Sequence, residues 1–190
     1  MPIFPVNIQQ QTDEQLMLRL SKGHRKSFDE LYRRYARRLQ GFFYRLLGGD
    51  QNRAEDATHD VFLRLYESRN RWREDGNVAT WMFTIAYNLC KNTYRHNAYE
   101  ADFLATLDRE PTEEQQIELS LDRETLHQAL EEVLKGLPDE LHQLFSLRYE
   151  EELTVPQIAT VMAIPEGTVK SRLHKTMNII RKQLKQYEEQ

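Results

Sequence analysis

Apolar residues recur at helical spacing along the first half of the chain. The run comprises Leu16, Leu20, Phe28, Leu31, Tyr35, Leu39 and Phe42. Spacings of three and four residues bring side chains to one face of a helix, whereas a half-buried strand needs strict alternation. Residues that favour turns and caps interrupt the pattern at Gly48–Asp50 and at Glu74–Asn77. We therefore predict three or four helices within residues 13–97.

The helical pattern weakens between residues 98 and 120. The stretch Asp108–Glu114 is polar, acidic and broken by Pro111, as is typical of a linker. Helical spacing resumes at Leu121, stops at Gly136–Pro138 and returns in three further segments up to Tyr187. These patterns predict an all-α protein with two small helical domains joined by an acidic linker. The predicted parts are an extension at 1–12, a domain at 13–97, a linker at 98–120 and a second domain at 121–190.

The second domain has the spacing of a helix-turn-helix motif. We expect Thr154 to cap a short helix holding Ile158, Ala159 and Met162, residues 163–167 to form the turn, and Thr168 to open the next helix. Val169, Leu173 and Ile180 would face inward, which leaves Lys170, Ser171, His174 and Lys175 facing outward. A basic helix with short polar groups near its start suits a DNA major groove. The alternative is a solvated basic helix in an ordinary bundle.

The segment Thr80–Arg95 predicts a second polar surface. Trp81, Ile85 and Leu89 are predicted to form a buried stripe, and we assign Trp81 to the core. The polar residues Thr84, Asn88, Lys91, Asn92 and Arg95 line up on the other face, where they suit a nucleic-acid backbone and exposed base edges. Trp72 and Tyr87 stay open between the core and nucleic-acid contact.

Charge is distributed unevenly, although the whole chain carries only −4. Residues 1–100 carry +4, residues 101–135 carry −7 and residues 136–190 carry −1. An acidic pI near 5.9 excludes a general nucleic-acid coat protein but is compatible with local basic faces joined by an acidic connector. The basic residues between Arg19 and Arg45 fit nucleic-acid contact and ordinary charged helix faces equally well. Asp56, Asp60 and Glu67 share one face of another helix, for which a solvated acidic face is the simpler interpretation.

Other classes of protein receive less support. The start of the chain lacks the pattern of a secretion signal and no stretch is apolar enough for a membrane span, so we expect a cytoplasmic protein. Cys90 is the single cysteine and is predicted to be a buried thiol. A helical di-metal enzyme is an alternative, because Asp56 with His59 and Glu124 with His127 share the carboxylate-x-x-His spacing, but further inward carboxylates are missing. A stand-alone regulator that uses only the helix-turn-helix is another.

The segments DATHDVFLRLYES, TWMFTIAYNLCKN and LPDELHQLFSLRYEEELTVPQIATVMAIPEGTVKSRLHK, in this order and separation, resemble the sigma-70 family of bacterial initiation factors. The similarity is to its small extracytoplasmic-function group, which keeps two of the conserved domains. The resemblance implies a factor that binds core RNA polymerase, directs it to promoters and assists promoter melting. It implies no catalysis, no cofactor and no metal. The implied partners are the clamp and flap of core polymerase, promoter DNA and an anti-sigma factor.

The resemblance also implies roles for particular residues. The first domain would bind the polymerase clamp and the minus-ten element, and the second would bind the minus-thirty-five element. The polymerase-binding residues are Asp56, Asp60, Phe62 and Arg64. The minus-ten strand would be read by Asn88 and Asn92 with Lys91 and Arg95, while the loop at 71–77, with Trp72, would hold an extruded base. The minus-thirty-five set is Thr168, Lys170, Ser171, Arg172, His174 and Lys175. His174 departs from the aromatic or basic residue expected at its position, and the linker is expected to pass near the RNA exit path.

Overall fold

The computed structural model describes the backbone of residues 7–94 and 123–188, with side chains at 7–91 and 125–186. All regular structure in these ranges is helical, which confirms the predicted all-α class. The chain divides into two compact units, one of Met1–Asn92 with Thr160–Met162 and the other of Thr93–Ala159 with Ala163–Gln190. The predicted linker at 98–120 lies outside the described residues.

Four α-helices make up the described part of the first unit: α1 (Asp13–Ser21), α2 (Arg25–Leu46), α3 (Gln51–Ser68) and α4 (Val78–Tyr94). Single turns of 3-10 helix lie at Ile8–Gln10 and Arg69–Arg71. Side chains cap the starts of α1, α3 and α4 by accepting hydrogen bonds from otherwise unpaired backbone amides. Asp50 accepts from the amide of Arg53 at the start of α3, and Asn77 accepts from the amide of Thr80 at the start of α4. The two turn segments predicted from the sequence therefore end in helix caps.

The core of the first unit lies where α2 packs against α1 and α3. Leu16, Leu31, Leu39 and Phe42 are at most 1% exposed, as the spacing predicted. The ring of Phe42 meets that of Phe83 edge to face at 5.5 Å, so α4 joins the same core. Such aromatic pairs contribute about 0.5–1.5 kcal/mol beyond the apolar area that they bury.

An ion-pair network on α2 holds residues 9–13 in place. The Arg34 guanidinium donates to Asp13 at 2.6 Å and to Glu30 at 2.7 Å, and it also donates to the carbonyls of Gln9 and Gln11, each at 2.9 Å. Arg33 adds two bonds to the buried carboxylate of Glu30. Hydrogen bonds from Arg33 and then Arg34 lower the pKa of Glu30 from 4.5 to about 2.

The same network reaches a tyrosine in the core. The Tyr35 hydroxyl donates to the second carboxylate oxygen of Asp13. Burial, followed by the bond to Asp13, raises the pKa of Tyr35, so this phenol stays neutral at physiological pH. Residues 9–13 are therefore fixed to α2 by bonds that an apolar pattern cannot reveal.

Four more α-helices follow: α5 (Arg123–Lys135), α6 (Asp139–Phe145), α7 (Val155–Met162) and α8 (Glu166–Glu188). They lie in the second unit, apart from Thr160–Met162 at the end of α7. A π-helical turn at Ser146–Glu150 continues α6. α8 packs against α5 and α6. A core cluster of buried apolar residues joins these helices and comprises Ala129, Val133, Leu134, Leu137, Phe145, Ile180 and Leu184. The three helical segments predicted after residue 138 are thus confirmed.

The turn between α7 and α8 follows the helix-turn-helix prediction with one correction. Thr154 precedes α7, and its carbonyl accepts from the amide of Ile158 at 2.9 Å. Ala163 turns the chain with a φ of 55°, a conformation that costs a non-glycine residue free energy. The prediction that Thr168 opens the second helix is wrong, because α8 begins at Glu166. Thr168 therefore lies within the first turn of α8.

Candidate nucleic-acid and polymerase interfaces

The buried face of α4 differs from the predicted one. Its buried apolar residues are Val78, Met82, Phe83, Ala86, Tyr87 and Cys90. Trp81, Ile85 and Leu89, predicted to form the buried stripe, are only partly buried. The assignment of Trp81 to the core is therefore wrong, whereas the burial predicted for Cys90 is confirmed. Tyr87, whose place was open, belongs to the core.

Trp81 lies on the polar face of α4. Each residue turns a helix by about 100°, so Trp81 and Asn88, seven residues apart, lie within about 20° of each other around the axis. Asn88 and Lys91 are exposed. The Thr84 hydroxyl donates to the carbonyl of Thr80 at 2.7 Å and is occupied within the helix. The side chain of Asn92 and all of Arg95 lie outside the described residues.

The loop before α4 contributes a second indole to this face. The rings of Trp72 and Trp81 stack with centroids 5.2 Å apart and an interplanar angle of 17°. Gly76 permits this packing, because a Cβ there would lie 3.2 Å from Cη2 and Cζ3 of Trp72. Trp72, which the sequence left open, is partly buried in this pair. The polar face of α4 thus starts at a flat aromatic platform.

An apolar patch lies on the surface between α2 and α3, and the sequence did not predict it. It comprises Tyr32, Leu63 and Tyr66, which are 36%, 55% and 36% exposed. Phe62 supports the patch from below, with its ring centroid 4.6 Å from that of Tyr32. The signal in the sequence was Leu63, a large apolar residue among the charged positions of its helix. We call these three exposed residues the α2–α3 patch.

Charged residues of α3 flank the α2–α3 patch. Asp56, Asp60 and Arg64, all predicted to bind polymerase, are exposed. Asp56, Asp60 and Leu63 follow one another at helical spacings of four and three residues and share a face. Phe62, also predicted to bind polymerase, is only 2% exposed. It is a core residue, so the structure contradicts a direct contact and leaves it the role of supporting Tyr32.

The residues of α8 that are predicted to contact the minus-thirty-five element differ in their exposure to solvent. Lys170 and Ser171 are exposed, whereas Thr168, His174 and Lys175 are partly buried. The Ser171 hydroxyl donates to the carbonyl of Thr168 at 3.1 Å. Nδ2 of Asn178 donates to Nε2 of His174, also at 3.1 Å. These short polar side chains occupy the outward surface of the second helix of the motif.

Arg172 differs from its neighbours on α8. Its Nη1 donates to Oε2 of Glu140 on α6 at 2.9 Å, and the two side chains are 22% and 29% exposed. The predicted DNA contact is thus an ion-paired residue in this structure. Glu140 has no distinguishing signal in the sequence, since its pairing depends on how α6 and α8 pack.

The basic residues of the first unit are partly used inside the fold. Arg33 and Arg34 bind Glu30, and the guanidinium carbon of Arg38 lies 5.3 Å from the Tyr35 ring centroid and 5.6 Å from that of Phe83. Guanidinium groups over aromatic faces are held by cation–π attraction. The run of basic residues along α2 therefore stabilises the unit, and charge alone does not make it a nucleic-acid surface.

The described residues show neither a metal-ligand cluster nor a membrane-spanning helix. Within 7–94 and 123–188, no three or more histidine, cysteine, aspartate or glutamate side chains group as metal ligands would. In the same ranges, none of the helices combines the length and the apolar character needed to span a bilayer.

A helix-turn-helix with an outward basic helix, together with a separate helical unit bearing a polar and aromatic face, defines a DNA-binding protein of transcription. Residues 31–99 match the family model for sigma-70 region 2, and residues 127–178 match that for sigma-70 region 4. The chain belongs to the sigma-70 family of RNA polymerase sigma factors, in its extracytoplasmic-function group. It acts in promoter-specific transcription initiation with RNA polymerase. This family consists of initiation factors that are not enzymes.

Curated relatives align over nearly the whole chain. The RNA polymerase sigma-H factor of Pseudomonas aeruginosa is 29% identical over 185 residues, which cover 92% of this chain and 95% of the relative. The sigma-E factor of Escherichia coli is 28% identical, with 90% of this chain and 94% of the relative covered. SigW of Bacillus subtilis is 26% identical, with 87% and 93% covered.

Solved structures share the fold at lower identity. CnrH, in complex with the cytosolic domain of CnrY, has a TM-score of 0.68 and 17% identity, with 91% of this chain and 97% of that chain covered. The sigma factor RpoE from Bartonella quintana, in complex with the anti-sigma factor NepR, has a TM-score of 0.63 and 21% identity, with 84% and 98% covered.

Proposed function

We propose that this sigma factor assists promoter melting with the polar face of α4 and docks on the minus-thirty-five duplex with α8. The observation that carries the proposal is the alignment of the Trp72–Trp81 stack with Asn88 and Lys91 along one face of α4. Unpaired bases stack on aromatic rings, amides bond to exposed base edges, and a lysine meets the phosphate backbone. A duplex-only regulator has no use for such a face.

Melting on this surface is driven by binding energy. Unpairing and unstacking cost a few kcal/mol for each extruded base, and capture of the freed strand offsets this cost. Asn88 and Asn92 read the minus-ten strand, with Lys91 and Arg95 on its backbone. The loop at 71–77 holds an extruded base beside the indole pair. Asn92 is assigned by its position on α4 and in the family motif, and Arg95 by its position in the motif alone.

The second unit binds the minus-thirty-five element in duplex form. Exposed Lys170 and Ser171, followed by His174 and Lys175 about one turn later, suit α8 to lie in a major groove. Thr168 lies in the first turn of α8, where it fits a contact to the DNA backbone. His174 and Ser171 supply hydrogen-bonding groups for base edges, while the lysines meet phosphates.

Core polymerase binds the first unit at the α2–α3 patch. The patch exposes three large side chains to solvent: Tyr32, Leu63 and Tyr66. An exposed apolar cluster beside charged residues is typical of a protein interface. Asp56, Asp60 and Arg64 provide a charged rim for the clamp, and the second unit engages the flap. Since its partner enzyme is cytoplasmic, the factor works in the cytoplasm.

An anti-sigma factor completes the proposed set of partners. The similar Bartonella quintana structure is of a sigma factor held by its anti-sigma factor.

The acidic linker at 98–120 passes near the RNA exit path, where its charge resembles that of nucleic acid. Replacing its carboxylates by amides is expected to change promoter escape, and unchanged initiation and escape would count against this path.

The two DNA surfaces are separated by a reconstitution experiment. Holoenzyme carrying Asn88→Ala or Asn92→Ala is expected to bind a promoter fragment, selected from random DNA by the wild-type holoenzyme, without making its thymines reactive to permanganate. Lys170→Ala is expected to weaken duplex docking itself. Asn52→Ala, on the exposed surface of α3, is the matched asparagine control and should open the promoter normally. Normal opening by the Asn88→Ala holoenzyme would remove α4 from the melting step.

A further inference from the structure

Arg172 occupies a flank of α8 that faces the second unit rather than the proposed DNA surface. With about 100° per residue, Arg172 lies about 60° from Val169 and about 40° from Thr176 around the helix axis. Both of those residues are fully buried. Ser171, in contrast, lies about 160° from Val169 and is exposed. The guanidinium therefore leaves the helix at the border of its buried side.

The partner of Arg172 is well placed to fix α8. Glu140 lies in the first turn of α6, where a negative charge is favoured by the helix dipole. Its Oε2 accepts from Arg172 Nη1 at 2.9 Å across 32 residues of sequence. Since α6 also packs on α8, the pair joins two elements already in contact. A charged hydrogen bond of this length is stronger than a neutral one and holds the helix in one rotation about its axis.

We infer that Arg172 is a positioning residue, held by Glu140, and that it makes no contact with DNA. The inference rests on the proposed role of α8 in minus-thirty-five binding. The Glu140–Arg172 pair sets the rotation at which Ser171 and His174 meet base edges in the groove. Glu140 is accordingly a residue of promoter binding that lies outside the recognition helix.

The direction in which promoter affinity changes after one substitution distinguishes a positioning pair from a DNA contact. Glu140→Gln removes a negative charge and frees Arg172. If Arg172 contacted phosphate, promoter binding would stay equal or become tighter. If the pair positions α8, Glu140→Gln weakens binding to the selected promoter relative to one with a scrambled minus-thirty-five element. We expect a loss of about twofold to thirtyfold, the range for residues that act on a site from outside it.

Salt dependence gives a second readout that a structural role does not move. The slope of log K against log salt is negative, and each lost phosphate contact makes it less steep, lowering its magnitude by about 0.9 for duplex DNA. With the holoenzyme, Arg172→Met is expected to weaken minus-thirty-five-dependent binding with an unchanged slope. Lys175→Met, a proposed phosphate contact, is expected to lower the slope by about 0.9.

Exchanging the charges of Glu140 and Arg172 keeps the experiment decisive even if a single variant fails to fold. Glu140→Arg and Arg172→Glu singly are expected to lose minus-thirty-five-dependent binding, and the double variant is expected to recover it in part. No recovery in a double variant with wild-type thermal stability, a lowered slope for Arg172→Met, or tighter binding by Glu140→Gln would each overturn the inference. Should Lys175→Met leave promoter binding unchanged at every salt concentration, the proposed role of α8 would fail instead.

Discussion

Neighbouring residues on α3 are expected to respond in opposite ways to truncation. Leu63 is 55% exposed and Phe62 is 2% exposed, although they are adjacent in the sequence. If the α2–α3 patch binds core polymerase, Leu63→Ala weakens that complex and leaves the fold intact. Phe62→Ala instead destabilises the first unit, because its ring packs with those of Phe28 and Tyr32 at 5.9 and 4.6 Å.

The exposed fraction sets the expected size of the two effects. Complete burial of a leucine side chain contributes about 1.5–3 kcal/mol, so burial of the open half of Leu63 beneath a partner contributes roughly 0.8–1.6 kcal/mol. That free energy corresponds to an increase in Kd of about fourfold to fifteenfold. The free energy of unfolding should change by no more than about 0.5 kcal/mol, as for other surface substitutions. Phe62→Ala should lower it by about 3–5 kcal/mol.

Two assays test this pair of expectations. Kd for core polymerase is measured by competition with a labelled wild-type factor, and the free energy of unfolding is measured in urea. Tyr44→Ala is the control for loss of an exposed aromatic residue, since Tyr44 is 45% exposed and lies outside the α2–α3 patch. Wild-type polymerase affinity in the Leu63→Ala protein would refute the assignment of the patch. Unchanged stability in the Phe62→Ala protein would refute the burial argument.

Three further predictions concern the first unit. Glu30→Gln should flatten the loss of stability, measured in urea, as pH falls from 4.5 towards about 2. The lowered pKa of Glu30 stabilises the fold above this range, and that contribution disappears as the carboxylate is protonated. A variant with the same pH profile as the wild type would contradict this expectation. Gly76→Ala should displace the Trp72 ring by a few tenths of an ångström and shift the fluorescence of the chain's two tryptophans, which an unchanged spectrum would disprove. Asn77→Ala should lower the free energy of unfolding by about 1 kcal/mol through loss of the α4 cap, whereas Asn70→Ala, in the exposed turn before it, should have little effect.

The sequence predicted those parts of the fold that depend on local spacing and on turn residues. Leu16, Leu31, Leu39 and Phe42 are buried as predicted, because three- and four-residue spacing directly describes a helix face. The α4 pattern failed for a related reason. Apolar residues occupy most positions of this helix, so several stripes fit the same letters. Only packing against α2 selects Phe83 over Trp81 for the core.

Features that depend on contacts between distant residues were not predictable in the same way. Arg34 meets Gln9 and Arg172 meets Glu140 through the packing of separate helices, and no periodicity records such pairs. The shift of the α8 start to Glu166 has a local cause. Thr168 is a good capping residue, yet the turn is already completed at Ala163, so the helix begins before the threonine.

The proposed function requires that a face for single-stranded bases and a helix for a duplex groove act together while polymerase holds them at a fixed distance. Its most direct test is transcription from one start site as the spacing between the minus-ten and minus-thirty-five elements is varied one base pair at a time. Transcription is expected to peak sharply at one spacing and to fall strongly after an insertion of about half a helical turn, roughly five base pairs. Equal transcription at every spacing, or the same start sites from core polymerase without this factor, would contradict it.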